Sequence, residues 1–328
     1  MAPMLHLAPF LCQKKRYNMK YLTCLVAALI TQSATGATKT STEFNGSLQA
    51  GWAHNSALAV AELDDVSAEQ DSGLMLKANI NGKWQASEKT VVQGSYGYTS
   101  QNYSASDQYD LAIHLAAIDA AYSLSWFDVG VRHDAAFARL DGDSFLRFNQ
   151  TSLYVAKLIA GNTFVRANSK FKSKKFANAQ QRDADSVGAG VDVFYFLSSG
   201  DTMLTAGLNV EDESTIDPQF DFDGINVNTK LAHDFLLLGK DSQLSVAWRY
   251  QQRDYNQVQD QSQGDPLAMD ENSLAREDNQ HTYQLQWKIH LLPSLALKTE
   301  VELGDYRSTI EQQTYTQTVT SISIEANF

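Results

Sequence analysis

Apolar and polar residues alternate along most of the chain from Phe44 onward, with a period of two residues. Successive side chains of a β-strand point to opposite faces, so this alternation predicts strands with one apolar and one polar face. It is most regular in 73–85, 185–197, 242–253, 281–289 and 295–305. After residue 37 no apolar run approaches the length of about 18 residues that is typical of a membrane-spanning helix. The pattern therefore predicts an all-β chain.

The connections between these segments alternate between short and long. Short connections are predicted at 86–89, 123–126, 158–162, 198–201, 236–241 and 291–294, and long, polar ones at 54–72, 101–110, 139–148, 172–184, 211–219, 256–280 and 307–315. They separate fourteen predicted strands, at 44–53, 73–85, 90–100, 110–122, 127–138, 148–157, 163–171, 185–197, 202–210, 220–235, 242–255, 281–290, 295–306 and 316–328. Totals of 12 or 16 strands are the alternatives. In 110–122 the apolar positions change face after Leu115, so a β-bulge or a shift of face is expected there.

The first 37 residues have the composition of an export signal. Basic residues within 14–20 precede a short apolar run at 21–30, and small residues follow at 34–37. The apolar run is about half as long as the ~20 residues that a spanning helix needs. We therefore predict that 1–37 is a signal peptide, with Met19 as an alternative start, and that 38–328 forms a single domain.

Charge and cysteine content narrow the function classes. Both cysteines, Cys12 and Cys24, lie in the predicted signal peptide, so the remaining chain has no thiol for a disulfide or a metal site. Removal of 1–37 takes away four basic residues and no acidic ones, which changes the formal net charge from -12 to -16. Such acidity argues against nucleic acid as a partner, because the phosphate backbone is also negative.

The C-terminus adds a third indication. The chain ends in Phe328, and Ile322, Ile324 and Ala326 lie on the same face of the last predicted strand. This ending resembles the terminal aromatic signature that the barrel-assembly machinery recognises. Together with the export signal and the unequal connections, it predicts a transmembrane antiparallel up-and-down β-barrel in the bacterial outer membrane, with short connections in the periplasm and long ones outside.

The cost of a charge in lipid decides which face of each strand points inward. A Lys or Arg on the outer wall of such a barrel, near the bilayer midplane, costs roughly 2–4 kcal/mol. The polar rows are therefore predicted to face a wet lumen of mixed charge. The residues predicted to face the lumen are Lys77, Lys83, Arg132, Arg166, Asp192, Lys230, Arg249, Lys288, Lys298, Glu300 and Glu302.

No residue pattern indicates catalysis or a cofactor, so we expect that the protein is not an enzyme. Nucleophilic catalysis needs a nucleophile and a base held together, and the histidines after residue 37 are scattered over different strands. His133 beside Asp134 comes nearest to such a pair. Asp217, Asp221 and Asp223 are close enough in sequence to share a Ca²⁺ ion, although their spacing does not match a full calcium-binding loop.

Four lysines, Lys170, Lys172, Lys174 and Lys175, concentrate positive charge in an acidic protein. Two interpretations are open. The lysines contact phosphates of lipopolysaccharide or an acidic passenger, or they belong to a solvated loop without a ligand.

One stretch carries a family resemblance. Arg182-Asp183 precedes a glycine-containing strand at 187–197, and the run 211–214 followed by 217–224 contains regularly spaced aspartates. This arrangement, over 182–235, resembles the C-terminal barrels of surface lipoprotein assembly modifiers and related barrels. The resemblance implies a barrel of about 14 strands that assists surface display. Those modifiers carry helical repeats before the barrel, and this chain shows no 34-residue helical repeat.

The sequence thus favours a channel, porin-like or substrate-translocating barrel. The alternatives are an export or surface-display factor, and a structural or adhesive barrel whose loops bind divalent cations and lipopolysaccharide. The expected partners are outer-membrane lipid and lipopolysaccharide, the barrel-assembly machinery through the last strand, and a small solute or an exported passenger.

Overall fold

The structure is a computed structural model that describes residues 41–197, 200–256 and 276–328. The predicted signal peptide and the start at Met19 lie outside the described residues. None of the helical segments in the described ranges is long and apolar enough to span a membrane.

Fourteen strands close into one antiparallel barrel, in which strands adjacent in the chain are adjacent in the sheet and the last pairs with the first. The predicted fold and strand number are confirmed. The barrel strands are β1 (Thr42–Asn55), β4 (Asp71–Gln85), β5 (Thr90–Tyr103), β6 (Leu111–Ser123), β7 (Asp128–Leu140), β8 (Asp143–Ile159), β9 (Thr163–Phe176), β10 (Ala184–Leu197), β11 (Thr202–Thr215), β12 (Phe222–Leu237), β13 (Lys240–Tyr255), β14 (Glu277–Leu292), β15 (Leu295–Ser308) and β16 (Tyr315–Asn327). Two short strands, β2 (Leu58–Val60) and β3 (Asp65–Ser67), form a hairpin between β1 and β4. We call the end of the barrel that carries this hairpin extracellular.

The outer wall is a continuous apolar belt. The alternation that predicted the strands places one apolar row of each strand outside, where large side chains remain 37–59% exposed. Examples from around the barrel are Leu48, Leu76, Ile80, Ile118, Leu153, Val187, Val191, Leu208, Leu231, Val246, Leu285, Leu303 and Ile322. Soluble proteins rarely expose apolar patches larger than a few hundred Å². Hydrocarbon is the solvent that suits such a belt, so the barrel spans a membrane.

The strands extend further toward the extracellular end than the alternation predicts. The predicted long connection at 139–148 is wrong, because β7 and β8 are separated only by 141–142. The predicted connection at 172–184 is shortened to 177–183, because β9 continues to Phe176. A strand of 14 residues, such as β9, is longer than the about 9–11 residues with which a tilted strand crosses the hydrocarbon core. The projecting ends of the strands meet water on both faces, so apolar and polar residues do not alternate there.

Of the two alternatives predicted for 110–122, the bulge is wrong and the apolar positions change face, from Ile113 inside to Ile118 outside. The registers of β6 with β5 and with β7 run without a shift from Leu111 to the other end of the strand. Ile113 instead points inward and joins an apolar cluster on the inner wall with Ala138, Leu146 and Phe176. The apolar residues at the start of β6 therefore belong to an apolar patch inside the barrel. The alternation of apolar and polar residues alone does not predict this patch.

The seam between β1 and β16 is closed by backbone contacts. Gly46 and Phe328 exchange two backbone hydrogen bonds, of 2.9 and 3.0 Å. A Cβ added at Gly51 would overlap backbone atoms of Ile322 and Ser323, so glycine permits the two strands to approach closely at this point.

Three extracellular hairpins share one cap. In each, a 3₁₀ turn is followed by an aspartate that accepts a hydrogen bond from the backbone N–H at the end of the preceding strand. Asp110 accepts from Tyr103 at 2.7 Å, Asp183 from Phe176 at 2.7 Å, and Asp221 from Thr215 at 2.6 Å. These caps keep the connections short and ordered around the barrel mouth.

Candidate functional site: the lumen and its first loop

The first extracellular loop, residues 56–70, folds into the mouth of the barrel. Near β1 it is held by β16, since Gln317 Nε2 donates to the backbone oxygen of Ala57 at 2.6 Å. Leu58, in the loop hairpin, is 1% exposed. Further along, Leu63 packs against the apolar cluster on the inner wall that contains Ile113. The loop therefore turns inward rather than projecting from the membrane.

The tip of this loop reaches the far wall. Asp64 binds Arg182, which lies between β9 and β10, on the opposite side of the ring from β1. Asp64 also accepts two hydrogen bonds from Arg276, just before β14, at 2.7 and 3.1 Å. Arg182 Nη1 donates to the backbone oxygen of Glu62 at 3.0 Å. The loop thus lies across the mouth and is fastened to two distant points of the wall.

The electrostatics of Asp64 match this role. Burial raises the pKa of Asp64, but the hydrogen bonds and charges of Arg276 and Arg182 outweigh burial and hold that pKa below its ordinary value of 3.8. The carboxylate is therefore ionised at neutral pH. A cavity of about 30 Å³, lined by Asp64 and Arg276 among others, lies beside the contact. It is large enough for one or two water molecules.

Aromatic rings hold both arginines in position. The guanidinium of Arg182 lies 4.0 Å from the ring centroid of Phe220, and that of Arg276 lies 4.2 Å from the ring centroid of Tyr255. Arg276 also pairs with Asp278 at 2.7 Å. Arg and aromatic faces attract each other through the ring quadrupole. The rings and Asp278 therefore help to hold the two guanidinium groups in the orientation in which they bind the loop.

The motif at 182–224 acquires a structural meaning from this contact. Arg182 holds the first loop, and Asp183 caps β9. Asp221 caps β11, and Asp217 accepts from the backbone N–H of Gln219 at 3.3 Å in the turn that presents Phe220. The motif residues therefore either bind the first loop directly or shape the hairpins that bind it. The family resemblance of this stretch stays a prediction.

The candidate Ca²⁺ ligands do not converge. Asp217 and Asp221 are engaged in the turn, and Asp223 lies on the exposed outer row of β12. Within the described ranges, no group of three or more His, Cys, Asp or Glu side chains could hold a metal ion. The calcium site therefore has no geometric support at these positions.

Three of the four clustered lysines point into the lumen. Lys170 donates to Asn209, Lys172 pairs with Glu211, and Lys174 pairs with Glu213 at 2.7 Å. Each pair spans from β9 to β11 across β10. The intervening inner positions of β10 are small, Ala184, Ser186, Gly188 and Gly190. Lipid cannot reach these three lysines, so the predicted lipopolysaccharide contact is wrong for them. Lys175 is 53% exposed on the outer wall, where lipid can reach it, and for Lys175 the contact stays a prediction.

The register places all residues predicted to face the lumen on the inner wall. Some of them are paired there. Arg132 pairs with Asp134 at 2.6 Å, Arg166 with Asp192 at 3.0 Å, Lys298 with Glu300 at 3.4 Å, and Lys288 with Glu325. Among the described residues, Lys77, Lys230 and Arg249 have no hydrogen bond or ion pair. A cation that makes no direct hydrogen bond to the protein is strongly disfavoured in a dry interior, so the inner wall requires water.

The histidines lie apart from one another. His133 donates to or accepts from Thr151 at 3.0 Å on the outer wall, whereas Asp134 points inward to Arg132. Neighbours in a strand face opposite sides, so His133 and Asp134 cannot act as a pair. This candidate pair is therefore wrong. The period of two already predicted that the two side chains point to opposite faces of the strand.

The exposed belt, the closed sheet and the charged inner wall together define the class of fold. Among solved structures, OmpT of Vibrio cholerae in its in-vitro folded, trimeric form matches with a TM-score of 0.51 and 9% identity, covering 88% of this chain and 99% of that one. The chain has the fold of outer-membrane β-barrels. CdiB from Acinetobacter baumannii matches with a TM-score of 0.50 and 12% identity, covering 89% of this chain and 66% of that one.

No family model and no curated protein matches the chain. With the apolar belt, the structural likeness confirms the predicted location, the bacterial outer membrane. At identities of 9% and 12% the likeness concerns the fold alone.

Proposed function

We propose that this barrel is a channel for small hydrophilic solutes, with a mouth narrowed by the inward-folded first loop. The observation that carries the proposal is the charged inner wall, where Lys77, Lys230 and Arg249 make no direct hydrogen bond or ion pair within the described residues, although glutamates of β15 lie near enough to attract them. Such side chains need water around them. A water-lined passage through an apolar shell is the physical requirement for solute diffusion across the outer membrane.

The number of strands supports the same function. Barrels of about 8 strands are filled by their own side chains, whereas those of 16–18 strands leave an aqueous channel. Fourteen strands lie nearer the second group. The first loop then reduces the opening at one end, where Asp64 is fastened to Arg182 and Arg276. Both signs of charge line the wall, so we expect weak ion selectivity.

Planar-bilayer recording tests the proposal. The purified protein should give stable single-channel steps, and Lys230→Glu should move the reversal potential in a salt gradient toward cation preference. Lys157→Glu, on the outer wall near the periplasmic end of β8, should leave the reversal potential unchanged. A folded, heat-modifiable barrel that never conducts would contradict the proposal and favour an export or surface-display factor.

A further inference from the structure

Three basic side chains form a patch on the outer wall at the extracellular end of β7, β8 and β9. We call Arg139, Arg147 and Lys175 the basic patch. Arg147 is the cross-strand partner of Lys175 on one side and of Phe137 on the other. Arg139 lies two residues beyond Phe137 on β7. All three side chains of the basic patch are exposed.

An aromatic cluster marks the height of this patch. The ring of Phe137 lies 6.4 Å from that of His114, and His114 lies 4.9 Å from Tyr98. Aromatic girdles sit where hydrocarbon gives way to headgroups on the wall of an outer-membrane barrel. The basic patch lies beside and above this cluster, so it faces the headgroups of the outer leaflet and not the acyl chains.

The protein balances only part of the positive charge of the patch. Like charges directly opposite each other on adjacent strands destabilise a sheet, and Arg147 and Lys175 are such a pair. The one ion pair of the patch among the described residues joins Lys175 to Asp183 at 3.7 Å. Asp141 and Asp143, in and beside the β7–β8 turn, form no ion pair with it. An external anion would remove the repulsion.

Charge on the outer wall is segregated. At the same end of the barrel, Asp212, Asp223, Asp254 and Glu277 are successive cross-strand partners on β11 to β14 and are exposed. This acidic row repels anions. An anionic headgroup that approaches the extracellular rim is therefore directed to the β7–β9 side.

We propose that Arg139, Arg147 and Lys175 bind a phosphate group of a phosphorylated glycolipid in the outer leaflet, of the lipid A class. Guanidinium groups bind phosphate through two parallel N–H···O bonds, and an ammonium group adds a third contact. The inference is independent of whether the barrel conducts. It moves the predicted lipopolysaccharide contact from the lumenal lysines to two arginines that the sequence pattern did not single out.

Native mass spectrometry of the wild-type protein in detergent tests the ligand. The probes are bisphosphorylated lipid A, the same lipid A without its phosphates, and inorganic phosphate. We expect the bisphosphorylated form to bind at least tenfold more tightly than the dephosphorylated form and to resist displacement by millimolar phosphate. Equal binding of both lipids would overturn the proposal. Displacement by free phosphate would overturn it too, because the site would then be a simple anion site.

Variants locate the site. The triple change Arg139→Gln, Arg147→Gln and Lys175→Gln should lower lipid A affinity at least tenfold. Lys157→Gln, an exposed outer-wall cation near the other end of β8, is the matched control and should leave binding unchanged. Equal losses in both would place the binding elsewhere. Heat-modifiable mobility checks folding, and if the triple variant fails to fold, the wild-type comparison of the two lipids decides.

Discussion

Replacement of Asp64 by asparagine should release the first loop from the mouth of the barrel. The carboxylate is the point at which the loop is fastened to Arg182 and Arg276. Asparagine keeps the size and one acceptor oxygen but loses the charge. Arg182 would then lose its counter-charge, and Arg276 would keep only its ion pair with Asp278.

The magnitude follows from how far the contact is buried. Exposed ion pairs contribute about 0–1 kcal/mol, and loss of one partner of a fully buried pair costs about 3–5 kcal/mol. The side chains of Asp64, Arg182 and Arg276 are 15%, 17% and 14% exposed, and a cavity of about 30 Å³ admits water beside them. An intermediate cost of about 2 kcal/mol is therefore expected, which corresponds to about a 30-fold change in the ratio of docked to released loop.

Two measurements detect the release. In single-channel recordings, the ratio of time in the lower to the higher conductance state should fall about 30-fold in Asp64→Asn. In the second measurement, Leu63→Cys introduces a thiol where the loop packs on the inner wall. Its labelling by an impermeant reagent should accelerate in the Asp64→Asn background. The labelling does not require the barrel to conduct.

Asp65→Asn is the control, because it makes the same substitution one residue further along. Asp65 is exposed, and its hydrogen bond to the Tyr109 hydroxyl is long, at 3.4 Å. It should change neither conductance nor labelling. If Asp64→Asn and Asp65→Asn behave alike, the assignment of Asp64 as the fastening point is refuted.

Three further outcomes are expected. The stabilisation by Asp64 is complete above its ordinary pKa of 3.8 and is lost as the pH falls through the lower pKa of the docked state, so acid titration below 3.8 should increase conductance, and a rise confined to neutral pH would contradict this. Val191→Arg, on the outer row at mid-strand, should cost about 2–4 kcal/mol and impair heat-modifiable folding. Asp192→Asn, on the inner row, should fold normally, and equal loss in both would show that the faces are misassigned. Gly51→Ala should lower thermal stability by disturbing the β1–β16 seam, whereas Gly94→Ala, whose added Cβ meets nothing closer than 4.0 Å, should not, and circular dichroism melts compare them.

The sequence by itself determined the barrel. A period of two with charges on one face has one stable solution in a membrane, because hydrocarbon and water then lie on opposite sides of a closed sheet. That argument needs only neighbours in the chain, and it placed Val191 outside and Asp192 inside. The ends of the strands could not be predicted in this way, because outside the bilayer both faces of the sheet meet water and apolar and polar residues no longer alternate.

The tertiary structure alone decided how distant residues meet. Asp64 and Arg276 are separated by 212 positions, and only closure of the sheet brings the loop after β1 to the wall before β14. In the same way, the side chain of Lys172 reaches Glu211 because β10 is lined with small residues between them, and Arg147 meets Lys175 through the register of β8 and β9. Strand register and closure of the barrel depend on residues far apart in the chain, so they cannot be predicted from the local pattern of apolar and polar residues.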